Sequence, residues 1–302
     1  MSLSCGIVGL PNSGKSTLFN ALLKKQIAQI AEYPYTTIGP NVGVVEVPDR
    51  RLDKIVESAH IEKKVPAVIK FIDIAGLIKG AHQGEGLGNQ FLAHIREVDA
   101  ILHVVRAFDP STGSGQVIPH VMGEVNPVRD VEVVNFELEL GGIKKPTVYV
   151  LNVSESALQS PPIQLINQLD AVVISAKLEA ELSELSKEEQ REYLRELGVE
   201  KSSLDQVILA SYELLDLITF FTIAGGNQAQ AWPIKKGSTA IEAAEKVHTD
   251  FAKGFINCEV LRYGDLLKTG SWTKAKEEGL VKIQSKDHVV EDGDILEFHA
   301  KV

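Results

Sequence analysis

The stretch "GLPNSGKST", Gly9–Thr17, decides the fold. It has the spacing G-x-x-x-x-G-K-[ST]. An apolar run, Cys5–Leu10, precedes it, and a helical pattern carrying Leu18 and Leu22 follows. That context of strand, glycine-bent loop and helix is what a phosphate cradle needs. Glycines let the backbone turn its N–H groups toward one anion, and the helix adds the positive end of its dipole. Several backbone amides of this loop are therefore expected to converge on phosphates. Lys15 would meet the β- and γ-phosphates, and the Ser16 hydroxyl would reach Mg²⁺.

Working outward, apolar β-branched runs alternate with helical patterns. Val42–Val47, Val68–Ile74, Ala100–Arg106, Thr147–Asn152 and Ala171–Ser175 read as strands. Lys15–Lys25, Arg50–Ala59, Asn89–Glu97 and Pro127–Leu140 read as helices, with further helical stretches at Leu178–Leu197 and Leu204–Leu217. Such alternation predicts an α/β fold: a mostly parallel sheet covered on both faces, with ligands at the carboxyl ends of its strands. The pattern changes after about Asp216–Thr219 to short strands, one helix (Thr239–His248) and glycine turns. Asp292-Gly293 between apolar runs reads as a hairpin cue. The expected organisation is a nucleotide-binding domain over residues 1–217 and a small α+β domain over 218–302.

Composition sets bounds. The 302 residues are 44% apolar and 24% charged, ample for a packed core. The net charge of −10 argues against a nucleic-acid coat, so DNA is not an expected partner. The charge is uneven: residues 218–302 carry 11 Lys and Arg against 12 Asp and Glu, so the deficit lies almost wholly before them. No run approaches the roughly 18 apolar residues of a membrane span. The N-terminus "MSLSCGIVGL" lacks the basic start of a signal peptide, and two distant cysteines make no disulfide framework. A reduced, cytoplasmic protein is expected.

Further motifs fall at strand ends. In "FIDIAGL", Phe71–Leu77, Asp73 is placed to hold the Mg²⁺ shell and the Gly76 amide to sense a γ-phosphate. The glycine-rich "GAHQGEGLGNQF" after it suits a segment that orders with that phosphate. A threonine of "EYPYTTIGPNVG", Glu32–Gly43, could bind the same cation.

Together these residues resemble the Obg-like ATPases of the YchF type, within the translation-factor-related P-loop GTPases. The resemblance rests on "GIVGLPNSGKSTLFNAL" (Gly6–Leu22), "YPYTTIGPNVGVV" (Tyr33–Val45), "DIAGLIKGAHQGEGLGNQFLAHIRE" (Asp73–Glu97) and "HVMGEVNPVRDVEVVNFEL" (His120–Leu138). It extends to "NVSE" (Asn152–Glu155) and "AWPIKKGSTAIEAAEKVHTDFAKGFI" (Ala231–Ile256), nearly the whole chain. It implies a P-loop G domain followed by a β-grasp (TGS) domain, ATP hydrolysis with Mg²⁺, a cytosolic location and association with ribosomes, with rRNA contact through residues 218–302. By position it has Asn12, Ser13, Gly14, Lys15, Ser16 and Thr17 hold the phosphates, makes Ser16 and Thr37 cation ligands, has Asn152, Val153 and Glu155 frame the base, and lines the base pocket with Ser175 and Ala176. It favours His120 as a catalytic residue beside Lys15. Two departures stand out. The long coiled-coil arm usual after the "NFELEL" helix has no room between Leu140 and Thr147, and "STGSGQVIP" (Ser111–Pro119) replaces a shorter acidic stretch.

The base-reading stretch deserves chemistry of its own. Guanine-specific proteins place an Asp where this chain has Glu155. One added methylene moves the carboxylate by ~1.5 Å. Losing a good charge-assisted hydrogen bond costs roughly 1.5–3 kcal/mol, so guanine preference should weaken by about one or two decades. Adenine presents N6–H₂ and N1, which Asn152 and nearby backbone are expected to serve. ATP is thus expected at least as readily as GTP. A GTP-preferring hydrolase and a P-loop small-molecule kinase remain the competing readings. Leu77 stands where many G proteins orient water with Gln. A neutral histidine could replace it, and of His82 and His120 the latter is favoured. His94, His103, His248 and His299 read as packing or surface residues.

Overall fold

The computed structural model describes residues 3–25, 41–74, 87–108, 120–199 and 202–301. In chain order the elements are β1 (Ser4–Val8), α1 (Lys15–Lys24), β2 (Val42–Glu46), α2 (Arg50–Ser58), β3 (Lys63–Val65), β4 (Val68–Asp73), α3 (Leu87–Glu97), β5 (Ala100–Arg106) and α4 (Pro127–Leu140). There follow β6 (Thr147–Asn152), a 3-10 turn (Glu155–Leu158), α5 (Ile163–Leu169), β7 (Val172–Ile174), α6 (Ala176–Leu182), α7 (Lys187–Glu196) and α8 (Ser203–Leu214). The remainder is β8 (Leu217–Ala224), β9 (Gln228–Lys235), α9 (Ala240–Val247), α10 (Thr249–Lys253), β10 (Phe255–Arg262), α11 (Tyr263–Thr269), α12 (Trp272–Glu277), β11 (Lys282–Gln284) and β12 (Asp294–Ala300). They form two compact units, Met1–Glu46 with Ile69–Leu215, and Val47–Val68 with Asp216–Val302.

The first unit is built on a sheet of order β2-β4-β1-β5-β6-β7. β1 pairs in parallel with β4 (Cys5↔Phe71) and β5 (Ile7↔Leu102), and β5–β6 and β6–β7 are parallel too. Every residue of β5 is buried, as expected for a strand covered on both faces. Alternation along β1 sends Val8 into a cluster with Phe91 and Ile95 of α3 and Val134 and Leu138 of α4. Cys5 points to the other face, where Ser211 of α8 bonds to its thiol. The carboxyl ends of β1, β4, β5 and β6 thus open onto one edge of a sheet whose helices are fixed on both sides.

In the second unit the order is β11-β10-β12-β8-β9-β3. The β8–β9 hairpin is antiparallel (Phe220↔Trp232), β12 runs parallel to β8, and β10 pairs antiparallel with β12. Helix α9 packs Ala240 and Ala243 on the face that carries Phe220, Trp232, Cys258, Val260 and Leu296. This is the β-grasp arrangement.

Three details differ from the sequence reading. Arg50–Ala59 is helical, yet α2 folds with the second unit, because β3 adds beside β9 (Lys63↔Gln228, Val65↔Gln230). Asp49 caps α2, and Leu52 and Ile55 bury its inner stripe. A division at residues 217 and 218 therefore leaves residues 47–68 on the wrong side: no local signal announces a strand pairing across more than 160 residues. Asp292-Gly293 is a turn but not a hairpin. Val290 N–H donates to the Ser238 carbonyl, and β12 pairs with β10 and β8 instead. Helices α10, α11 and α12 occupy what read as short strands and turns.

Candidate nucleotide site

The cradle loop is bent by backbone that only small residues tolerate. Gly9 has φ 149°, and a Cβ there would lie 2.3 Å from the Val104 carbonyl oxygen. Gly14 has φ 97° and caps α1, while Asn12 takes φ 63°. No side chain caps α1, so the first amides of that ten-residue helix are left for an anion. Ser16 and Thr17 are exposed at this end, and Ser13 is buried with its Oγ lacking a hydrogen-bond partner.

Lys15 is 8% exposed, and its Nζ donates to the Leu10 carbonyl at 2.8 Å. Burial pulls its pKa down to about 8, against the opposing pull of Asp73. Asp73 ends β4 and accepts a hydrogen bond from Ser16. Burial pushes its carboxyl up, while Lys15 and Ser16 push it down. The predicted phosphate lysine, hydroxyl and carboxylate therefore meet at one strand edge. A carboxylate and a hydroxyl beside a free helix N-terminus are hard oxygen donors, the set that suits Mg²⁺ shared with phosphate oxygens. Thr37, Gly76 and His82 lie outside the described residues.

Asn152 makes two side-chain hydrogen bonds within the protein. Its Nδ2 donates to the Ser13 carbonyl at 2.9 Å, and its Oδ1 accepts the Ala176 amide at 2.9 Å. The side chain thus ties the phosphate loop to the loop of Ser175 and Ala176. It sits where a Cβ on Gly14 would come within 2.1 Å of Nδ2, which is why position 14 is glycine. Val153 is buried and donates its amide to the Ile174 carbonyl. Ser175 is also buried, its Oγ capping α6 through the Leu178 amide. Glu155 is half-buried and opens the 3-10 turn after β6. Its charge is the first cause raising the Tyr193 phenol on α7, so α7 approaches this turn. Nothing local in the sequence pairs Tyr193 with that turn.

His120 is enclosed by protein groups. Its side chain is 2% exposed, Nε2 lies 2.7 Å from Asp130 Oδ2, and Nδ1 accepts the Met122 amide at 3.2 Å. Both ring nitrogens are occupied, so the expected water-facing histidine is not presented in this arrangement. Met122, two residues on, packs against the buried cluster that includes Leu10, Phe91 and Val134. Asp130 is buried, which raises its carboxyl; His120, Arg129 and Arg106 pull it back. Arg106, at the end of β5, stacks on Phe108 with 4.7 Å between guanidinium and ring centre. His103 is wholly buried on β5; burial, then the Lys15 charge, drives its pKa down to about 3, so it is neutral. Among the described residues no helix is long and apolar enough to cross a membrane.

The chain's likeness to known proteins follows the same lines. A family model described as "50S ribosome-binding GTPase" matches residues 4–153, and the YchF GTPase C-terminal family, described as "Protein of unknown function (DUF933)", matches residues 217–301. The chain is 41% identical to the ribosome-binding ATPase YchF of Bacillus subtilis (strain 168), with all of both chains covered. It is 40% identical to that of Escherichia coli O157:H7, with 99% of each covered. The structure of the Schizosaccharomyces pombe YchF GTPase superposes with a TM-score of 0.82 at 32% identity, covering 99% of this chain and 98% of that one. The Bacillus alignment spans 373 positions against 302 residues here, so the relatives carry residues this chain lacks. The short passage from α4 to β6 is one place without room for them. On these similarities, and on the cradle just described, the chain belongs to the YchF family of P-loop nucleoside triphosphatases.

Proposed function

We propose that the protein is a Mg²⁺-dependent ATP hydrolase, able to take GTP weakly, that acts as a nucleotide-state switch on the ribosome in the cytoplasm. The observation that carries the reading is the buried Lys15 ammonium beside Asp73 and Ser16, at a helix end with uncommitted amides. The relatives' names add the ribosome and ATP. Residues 218–302, nearly balanced in charge, are the part suited to approach rRNA.

Ser16, Asp73 and Thr37 would hold the cation, which supplies charge neutralisation on the phosphate oxygens when bound. The amides of residues 12–17 and Lys15 hold the phosphates, and Gly76 senses the γ-phosphate. Asn152 keeps the phosphate loop and the Ala176 loop in register, while Glu155 sets the base preference. His120 acts on the attacking water once its Nδ1 is released from the Met122 amide.

Calorimetric affinities for ATP and GTP, measured in parallel on the parent and on Glu155→Asp, test the reading. The parent should prefer ATP or bind both alike, and the variant should move toward GTP by about one to two decades. An unmoved ratio removes Glu155 as discriminator. Phosphate release matching ATP loss without any acceptor separates a hydrolase from a small-molecule kinase.

A further inference from the structure

The turn His120–Gly123, closed by the Gly123 amide on the His120 carbonyl at 3.0 Å, is fastened to the first turn of α4. Asp130 holds His120 Nε2, and Arg129 Nη2 donates to the carbonyls of Met122 (3.3 Å) and Glu124 (2.7 Å). The tautomer follows from these contacts. The Met122 amide donates to Nδ1, so Nδ1 carries a lone pair and the ring proton sits on Nε2, donated to Asp130.

Asp130 is an expensive partner for so small a task. It is 2% exposed, and its second oxygen, Oδ1, is buried with no hydrogen-bond partner. A buried carboxylate costs more than a neutral acceptor would, and an asparagine oxygen could take the same ring proton. Its charge therefore has a use that a neutral group would not serve. A carboxylate behind an imidazole fixes the tautomer and stabilises the imidazolium formed when the opposite nitrogen takes a proton. The charged groups facing the pair are Arg129 on its own helix and Arg106 from β5, both of which offset the cost of the carboxylate.

We propose that Asp130 is the positioning residue for His120: it keeps the proton on Nε2 so that Nδ1 is the nitrogen that receives a proton from the water attacking the γ-phosphate. The inference rests on the reading of His120 given above. In the step, the water O–H bond breaks and its proton goes to Nδ1. The oxygen bonds to phosphorus, the bond to the β–γ bridging oxygen breaks with ADP as leaving group, and the imidazolium returns its proton to solvent. The 3.2 Å Met122 contact is the longer of the ring's two bonds and is the one water must displace.

The experiment is kcat for phosphate release at saturating ATP, with calorimetric ATP affinity alongside, for the parent, Asp130→Asn, Asp130→Glu and His120→Ala. Asp130→Asn should lower kcat at least tenfold and leave ATP affinity within twofold. Asp130→Glu should recover part of the rate. Unchanged kcat in Asp130→Asn, with His120→Ala inactive, overturns the role of Asp130 and leaves that of His120 standing. Parent-like turnover in His120→Ala overturns the reading of His120 itself. Nitrogen-15 spectra of the histidines in the unmodified protein need no variant to fold: a His120 protonated on Nε2 supports the proposal, and one protonated on Nδ1 ends it.

Discussion

Lys15 holds its ammonium on the Leu10 carbonyl, and burial sets its pKa at about 8. Phosphate groups favour the charged lysine, so binding must raise that value. Binding should therefore take up protons above about pH 8, and ATP affinity should fall as pH rises past it, by up to about tenfold per unit. Calorimetry at pH 9 in two buffers of different ionisation enthalpy measures the uptake, and equal heats in both would refute it. Removing the ammonium in Lys15→Ala should cost roughly ten- to a hundredfold in ATP affinity. At this scale the sequence was informative where chemistry is local. The glycines, lysine and serine of the cradle all fall within Gly9–Ser16, close enough for their spacing to be read directly. Asn152 was legible as a site residue but not as the tie between Ser13 and Ala176, since both partners are remote in sequence. Asp130 carried no signal at all; only the fold sets its carboxylate on His120.

Elements were read best where one kind of residue fills them. The strands of the first sheet are near-continuous apolar runs, and burial on both faces is the reason. The stretch Leu178–Leu197 read as helical, with an N-cap at Ser186, and it is two helices. Glu179 of α6 is committed to capping α8, accepting from Ser202 Oγ at 2.7 Å and the Ser203 amide at 2.7 Å, while Ser186 and Glu189 start α7 with a capping box. Glu179→Ala leaves those donors without a partner and should destabilise the first unit by about 1.5–3 kcal/mol. A denaturation midpoint indistinguishable from the parent's would show that α8 does not depend on this cap. The missed α10, α11 and α12 have seven residues or fewer, too short for a periodic pattern to stand out.

On the scale of the whole molecule, the chain leaves the first sheet after Glu46, contributes α2 and β3 to the second unit, and returns at β4. Arg51 fastens this excursion within the second unit. It pairs with Asp49 (2.8 Å) and Asp292 (2.7 Å) and lies 5.5 Å from the Phe221 ring centre, while Asp292 also accepts the Thr219 amide. Arg51→Ala should cost the second unit about 1–2 kcal/mol. Amide exchange in β8 and β9 should then quicken by about 5–30-fold, with β5 and β6 unaffected. Uniform exchange across both sheets would refute Arg51 as a local fastening. The sequence by itself determined the phosphate cradle and the parallel sheet, because each is written in neighbouring residues, a glycine-bent loop and apolar strands; the β-grasp region was implied by the family resemblance. Only the tertiary structure decided that residues 47–68 belong with the C-terminal unit, that Asn152 joins two loops, and that Asp130 stands behind His120. Those are pairings between distant positions, fixed by strand register and by the burial of polar partners, and no local pattern encodes them.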